Sequence, residues 1–287
     1  MRFVPYLRRL AAAAALVLGA SGAAVAGPVF LTGHDPDFHA QSGTGAKNLL
    51  TAGLDFVTGN TTGSATEKFL WVESRISPPS GHLVGEDALG DIGLTLGTHY
   101  DRANAAELPA VDFSDYTAIA VASSFGGLLT RAELDALIAR KSDIESFINA
   151  GGGLMALAEC DGTFGSCGDN LLGTNPDLFG FVPLSGIVPQ AVTQSFTVTA
   201  AGAAAPFNLT VGDVSDPTHN AFDPAQVPAA LSILDLDSNN NAVTLAGNVR
   251  IQGGGFTGDV PEPATLGLLG AGIIGLGILR RRRNRPA

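Results

Sequence analysis

The sequence predicts an α/β protein with a mostly parallel, flavodoxin-like sheet, flanking helices, and extra antiparallel strands in its C-terminal half. Buried strand-like runs alternate with helical periodicity through residues 28–158. One succession of strand, helix, glycine turn and strand is typical of a βαβ unit, which favours a parallel sheet. Residues 180–258 are richer in short β-type runs separated by Asn, Gly and Pro.

The first half of the body alternates predicted strands with predicted helices. Apolar runs of strand length mark the strands, and leucines repeated at helical spacing mark the clearest early helix. In chain order these segments are Pro28–Thr32 (strand), Gly45–Val57 (helix), Lys68–Val72 (strand), Gly85–Leu96 (helix) and Tyr116–Ala122 (strand).

The strongest helical pattern begins after residue 130. Thr130 and Glu133 form a capping-box signature, and apolar residues then recur at helical spacing with an interruption at Lys141. Gly151–Gly153 should end the helix, because glycine accepts the left-handed cap conformation. Leu154–Ala158 is the strand that completes the βαβ unit.

The C-terminal half contains four short runs that favour strands: Ser195–Val198, Phe207–Val211, Leu231–Leu236 and Ala242–Val249. Between the last two, residues 235–241 carry oxygen-bearing side chains at alternate positions. They fit either a calcium loop or a hairpin turn rich in Asx residues. Asn240 stands where an EF-hand needs glycine, and Ala246 stands where it needs glutamate, so the turn is favoured.

Residues 1–26 are predicted to be a signal peptide. A basic start precedes the apolar segment Leu10–Leu18, and Ala24–Ala26 supplies a small-x-small cleavage site for signal peptidase. The mature chain then begins at Gly27. Residues 27–259 form the predicted extracytoplasmic α/β domain.

The charge of that domain limits its partners. It contains eight basic and 26 acidic residues, a formal net charge of −18. Such a surface repels nucleic acid and anionic lipid, so we expect no nucleic-acid partner. No motif in the sequence indicates a cofactor, and none is predicted.

The C-terminus has three consecutive parts. Val260, Pro261, Glu262 and Pro263 precede the apolar run Ala264–Leu279, which is followed by Arg280, Arg281, Arg282 and Arg283. The run would form about 24 Å of helix, and flanking arginines can extend its reach by snorkelling. We therefore predict a transmembrane helix whose arginines act as a stop on the cytoplasmic side.

This arrangement at residues 260–287 resembles the PEP-CTERM sorting signal of Gram-negative bacteria. The resemblance implies a precursor anchored in the inner membrane and processed near Pro261–Pro263 by an exosortase, a membrane-embedded cysteine transpeptidase. Proteins of this kind are exported and often accompany exopolysaccharide or biofilm matrix. The alternative is an ordinary C-terminal anchor that is never cleaved.

The body resembles the class I glutamine amidotransferase-like superfamily, and within it ThuA-like proteins. The opening Val29–His34, the pair Asp115–Tyr116 before a strand, and Gly151–Gly153 before another strand carry this resemblance. It implies a cysteine at a sharp turn within Gly-x-Cys-x-Gly. Here Cys160 occupies that place, and Ala158 replaces the first glycine.

Cys160 and Cys167 are the two cysteines of the chain. In an exported protein they favour a disulfide that closes a small loop. The acidic neighbours Glu159 and Asp161 disfavour a thiolate, and Ala221 replaces the glutamate of the His-x-Glu pair that the superfamily's enzymes require. The sequence therefore favours a structural bridge over a catalytic Cys160.

The loop after the first strand carries His34, Asp35, Asp37 and His39. Histidine and carboxylate ligands suit zinc or a similar ion, although such residues are also common in solvated loops. Ligands of α/β sheets bind beyond the carboxyl ends of the strands. We therefore expect this loop to meet the loops that follow Tyr116–Ala122 and Leu154–Ala158.

These observations predict an exported protein sorted by an exosortase, with a non-catalytic body that acts at the cell surface or in the extracellular matrix. The alternative is an extracytoplasmic hydrolase or sugar-modifying enzyme with a degenerate amidotransferase-like site. The departures around Cys160 favour the non-catalytic interpretation.

Overall fold

The computed structural model describes residues 25–63, 68–124, 126–157, 171–172, 179–193 and 195–258. Residues 26–259 form one compact unit. Within the described ranges, no helix has both the length and the apolar character needed to cross a bilayer. Residues 1–24 of the predicted signal peptide, the predicted sorting signal and both cysteines lie outside these ranges.

The described chain contains helices of moderate length and mostly short strands. The helices are α1 (Pro36–His39), α2 (Thr44–Thr58), α3 (Gly85–Asp91), α4 (Arg131–Ala139), α5 (Lys141–Asn149) and α6 (Ala200–Ala203). The strands are β1 (Gly27–Thr32), β2 (Phe69–Val72), β3 (Tyr100–Ala103), β4 (Ala118–Val121), β5 (Gly153–Ala156), β6 (Ile187–Thr193), β7 (Phe196–Val198), β8 (Thr218–Phe222), β9 (Ser232–Asp237), β10 (Ala242–Gln252) and β11 (Gly255–Gly258).

The parallel part of the sheet has the strand order β3-β2-β4-β5-β1. A flavodoxin-like sheet runs 2-1-3-4-5, so the predicted order is wrong for the first strand. If the strands are renumbered from β2, with β1 as the fifth, the order becomes that of flavodoxin. The sheet is therefore a circular permutation of the predicted one, with its topological switch point between β2 and β4.

The C-terminal half extends the same sheet with antiparallel strands, as its short alternating runs predict. β10 pairs antiparallel with β1 from Gly27↔Val249 to Thr32↔Thr244. β9 pairs with β10 on the side opposite β1, whereas β8 pairs with β10 at Ala242↔Phe222 and also pairs with β6. The central β1 is thus parallel to one neighbour and antiparallel to the other.

Helices cover both faces of the sheet. On one face, the leucines of α2 and Leu89 of α3 pack with Phe30 and Trp71. On the other, Leu134 of α4 and Ile144 of α5 pack against β4 and β5. Because both faces are buried, the parallel strands other than the edge strand β3 contain continuous apolar residues rather than an alternating pattern.

Several local predictions are confirmed. The helix after Thr130 divides into α4 and α5 at Arg140–Lys141, where its apolar pattern is interrupted. Glu133 accepts a hydrogen bond from the Thr130 backbone N–H, as the capping box predicts. Gly151 has a φ of 98°, the left-handed conformation expected where the helix ends.

The prediction of a strand at Phe207–Val211 is wrong. These residues form a loop that leads into a 3-10 turn at Val211–Val214, and Asn208 adopts a left-handed φ of 51°. A strand cannot continue through that conformation. β3, β6, β8 and β11 were not predicted.

Candidate functional site

Three loops meet at the carboxyl edge of the parallel strands, next to the switch point. The loops after β1 and β4 meet there as predicted, through a hydrogen bond from the Ser123 backbone N–H to Asp37 Oδ2 at 2.9 Å. The third contributor is the loop after β2, which brings Glu73. The predicted third loop, after β5, lies outside the described residues.

Asp37 is fully buried where the loop after β1 meets the loop after β4. Its Oδ1 accepts the Phe38 N–H at 3.1 Å, and the backbone and hydroxyl of Ser123 both donate to the carboxylate. Ser123 Oγ in turn accepts the Gly127 N–H at 3.0 Å. Burial raises the pKa of Asp37 to about 6, although the hydrogen bonds from Ser123 oppose this rise.

Glu73 is also fully buried, at the end of β2. Its Oε1 accepts the Gly85 N–H at 2.6 Å, and its Oε2 accepts the Trp71 indole N–H at 2.8 Å and the Glu86 N–H at 3.0 Å. Burial raises the pKa of Glu73 to about 7, and the charge of Asp37 adds to the rise, whereas the hydrogen bonds oppose it.

Two glycines allow the carboxyl groups to approach the backbone. A Cβ on Gly85 would lie 2.7 Å from Asp37 Oδ2 and 3.1 Å from Glu73 Oε1. A Cβ on Gly127 would lie 2.6 Å from Asp37 Oδ2. The carbonyl of Gly127 is also 2.9 Å from Nδ1 of the buried His82. Both glycine positions are therefore filled by the protein's own polar atoms.

This arrangement has the chemical groups for proton transfer near neutral pH. Asp37, which accepts hydrogen bonds from Ser123, and Glu73 both have raised pKa values, and such groups can exchange protons at pH 6 to 7. However, Asp37, Glu73 and Ser123 are each fully buried and engaged in hydrogen bonds. In the described conformation their contacts hold the three loops together.

His34, at the start of the first loop, points towards the antiparallel half of the sheet. Its Nε2 lies 2.8 Å from Asp235 Oδ2, and both side chains are buried. Its ring packs edge-on against Phe196, with centroids 4.9 Å apart. This contact links the residues after β1 to β9. It occupies Nε2 of His34, one of the candidate metal ligands of the first loop.

Asp35 and His39 lie one helical turn apart on α1. His39 Nε2 is 3.4 Å from Asp35 Oδ1, and His39 Nδ1 is 3.9 Å from Asp216 Oδ1. Burial raises the pKa of Asp35, and Asp37 adds to that rise. Burial also lowers the pKa of His39, although Asp216 opposes this shift.

The four first-loop candidates therefore separate into three environments. His34 contacts β9, Asp37 contacts Ser123, and Asp35 pairs with His39. Among the residues that the structure describes, no group of three or more His, Cys, Asp or Glu side chains could hold a metal ion. The described contacts thus do not bring the four candidates together as one set of ligands.

The segment between β9 and β10 is a polar hairpin turn. Asp237 Oδ1 accepts the backbone N–H groups of Asn239 and Asn241, each at 2.8 Å, and Oδ2 accepts the Asn241 side-chain amide at 3.0 Å. Asn240 has a left-handed φ of 62°. The Asx-turn prediction is confirmed, because the oxygen of Asp237 that a cation would need binds the backbone instead.

Other predicted site residues lie outside the described ranges. These are Cys160 and Cys167, the motif Val260–Pro263, and the stop Arg280–Arg283. Glu73, by contrast, is a site residue that the sequence reasoning missed. Its position directly after the apolar strand Phe69–Val72 was the available signal, because strand ends form the ligand edge of such sheets.

Comparison with known families finds a match at the C-terminus of the chain. Residues 259–283 match the PEP-CTERM protein-sorting motif. The sorting motif is present. It implies an exported protein for which an exosortase is the processing enzyme, and it is consistent with a membrane-anchored precursor. No curated protein and no solved structure matches the chain, so the amidotransferase-like resemblance of the body receives no support from this source.

Proposed function

We propose that the protein is exported across the inner membrane of a Gram-negative bacterium, cleaved by an exosortase near Pro261–Pro263, and retained at the cell surface or released. In this proposal residues 1–26 are removed by signal peptidase, and residues 27–259 act as a non-catalytic component of the exopolysaccharide or biofilm matrix. The observation that carries the proposal is the match of residues 259–283 to the sorting motif.

The chemistry of the motif supports the processing step. Pro261 and Pro263 favour an extended backbone and lack amide donors, which suits recognition by a protease. The following apolar run holds this segment at the membrane surface, and Arg280–Arg283 resist translocation. The strongly acidic body supports delivery to an aqueous exterior, because its charge keeps it soluble and away from anionic lipid.

The test is Glu262→Ala, which removes the only carboxylate of Val260–Pro263, in cells that contain the matching exosortase. Immunoblots should show uncleaved precursor accumulating in the membrane fraction, whereas the wild-type protein leaves that fraction. A matched control is Glu145→Ala on α5, which removes a glutamate from the body and should leave processing unchanged. Equal processing of all three proteins would reject exosortase cleavage.

The second candidate function is an extracytoplasmic hydrolase or sugar-modifying enzyme. The raised pKa values of Asp37, which contacts Ser123, and of Glu73 favour it, because such groups are typical of active sites. Thiol alkylation of the exported protein separates the two. A rapidly alkylated Cys160 would favour the enzyme, and a Cys160–Cys167 bridge would favour the non-catalytic module.

A further inference from the structure

Residues of α2 and of the turn that follows it line one side of an open groove of about 610 Å³, within the size range of small-ligand sites. Its opposite wall is the loop 206–209 together with Asp213. The groove contains aromatic rings, carboxylates and amides. It is separate from the buried cluster around Asp37 and Glu73.

Two aromatic rings form its apolar surface. Phe56 and Phe207 are half-buried, with centroids 4.9 Å apart and ring planes inclined at 56°. Phe207 is fixed from behind by Phe30 at 6.2 Å. The face of an aromatic ring carries partial negative charge, so it attracts the weakly positive C–H groups on the face of a sugar ring.

Each of the main polar side chains is oriented by a contact within the protein and keeps one oxygen available. Asn48 Nδ2 donates to Asp213 Oδ1 at 2.7 Å. Asp55 Oδ1 accepts the Thr62 N–H at 2.5 Å and also the Thr62 hydroxyl. Asn48 Oδ1 and Asp55 Oδ2 accept no hydrogen bond from the described part of the chain.

Asn208 completes this arrangement from the opposite wall. It is exposed and holds a left-handed φ of 51°, a conformation that asparagine tolerates better than most residues. Its Nδ2 donates to the Pro206 carbonyl at 3.2 Å. This hydrogen bond fixes the amide plane and therefore also orients Oδ1. Preoriented acceptors lose little conformational entropy when they bind a ligand.

The groove's charge narrows the ligand class. Its lining includes Asp55 and Asp213, and no described residue of the lining carries a positive charge. Uronic acids, phosphates and sulfates would be repelled there. Sugar hydroxyl groups, by contrast, are donors that match carboxylate and amide oxygens.

We infer that the groove between α2 and the 206–209 loop binds a segment of a neutral, hydroxyl-rich oligosaccharide. The sugar ring stacks on Phe56 and Phe207 while its hydroxyls donate to Asn48, Asp55 and Asn208. This inference deepens the proposed matrix function and rests on it for the biological source of the glycan. The binding chemistry itself follows from the groove.

A second groove provides a matched control. It has a volume of about 570 Å³ and contains Tyr116 and Phe147, but no described residue of its lining has a carboxylate or amide side chain. Phe147→Leu therefore removes an aromatic ring from a comparable surface without affecting the proposed site. Asn239→Ala is the control for Asn208→Gly, because it removes an exposed amide from the β9–β10 turn, outside the groove.

The test titrates the full chain, purified in a detergent without sugar groups, with cello-, laminari- and malto-hexaose and with hexagalacturonate by calorimetry. At least one neutral hexaose should bind more tightly than the anionic one. Phe207→Leu and Asn208→Gly should each weaken that binding about tenfold, the loss expected for one stacking or hydrogen-bonding contact. Asn208→Gly retains the left-handed turn, so it isolates the amide. Phe147→Leu and Asn239→Ala should stay within about twofold.

Three results would overturn the inference: no neutral hexaose binds, hexagalacturonate binds as tightly as the neutral ligands, or Phe147→Leu weakens binding as much as Phe207→Leu. Denaturation curves for each variant separate loss of a contact from loss of the fold. Processing of Glu262→Ala is measured independently in cells. Failed glycan binding with intact processing would therefore reject the ligand and leave the sorting proposal standing.

Discussion

The buried carboxyl of Glu73 should make the protein less stable as the pH rises. Its pKa in the folded protein is about 7, against an ordinary value of 4.5. One pH unit of such a difference corresponds to about 1.4 kcal/mol, so ionising Glu73 in the folded state should reduce the free energy of unfolding by about 3 kcal/mol.

The sign follows from proton binding. The folded protein holds the Glu73 proton more tightly than the unfolded chain does, so raising the pH favours unfolding. The contribution is fully present below about pH 4.5 and is lost as the pH rises through about 7. Glu73→Gln has no proton to release at this position. Its stability should therefore lack this component.

The comparison of wild type with Glu73→Gln isolates that component. A glutamine amide would face either the Gly85 N–H or the N–H groups of Trp71 and Glu86, so the variant should be less stable at low pH. That cost does not depend on pH. The stability of the wild type relative to Glu73→Gln should therefore fall by about 3 kcal/mol between pH 4 and pH 8.

Urea denaturation at unit intervals of pH measures the effect. Asp37, with its own raised pKa, is present in both proteins, so its contribution largely cancels. Asp135→Asn removes an exposed carboxylate from a surface ion pair on α4 and should show little such change, because solvent screens that pair. A constant difference between wild type and Glu73→Gln from pH 4 to pH 8 would refute the assigned burial effect.

Two substitutions test the packing that positions the first loop. Gly33→Ala should lower the free energy of unfolding by about 3 kcal/mol, because its Cβ would lie 1.9 Å from the Asn220 carbonyl oxygen. The control Gly90→Ala, in open space on α3, should instead raise the free energy of unfolding by up to about 1 kcal/mol. Equal effects of the two substitutions in urea denaturation would contradict this account. Asp235→Ala should cost about 2 kcal/mol because it leaves the buried Nε2 of His34 without its acceptor, and an unchanged melting temperature would argue against that contact.

Local sequence patterns predicted the elements whose burial is periodic or continuous. α2, β1, β2, β4 and β5 lie within two residues of their predicted ends, because one apolar face or a fully apolar run specifies each of them. β3 was missed because its central residues, Asp101 and Arg102, are only partly buried at the sheet edge and interrupt the apolar pattern.

Long-range contacts explain what the sequence did not predict. The position of β1 between β5 and β10 depends on pairing with residues more than 200 positions away, such as Gly27 with Val249. Local propensity carries no information on such pairing, so the flavodoxin order was a natural but incorrect prediction. The same applies to the contact of His34 with Asp235, which no spacing within the first loop could indicate.

The switch point illustrates how the same strand arrangement can have different uses. In open α/β sheets, the crevice beside the switch point usually accepts a ligand. Here Asp37 and Glu73 approach the backbone of Gly85 from two loops, and Ser123 closes the contact with Gly127. A ligand carboxylate or phosphate beside Gly85 or Gly127 would meet these two carboxyl groups. The groove on α2 offers open volume, oriented acceptors and aromatic rings. We therefore expect a ligand to bind at this groove rather than at the carboxyl ends of the strands.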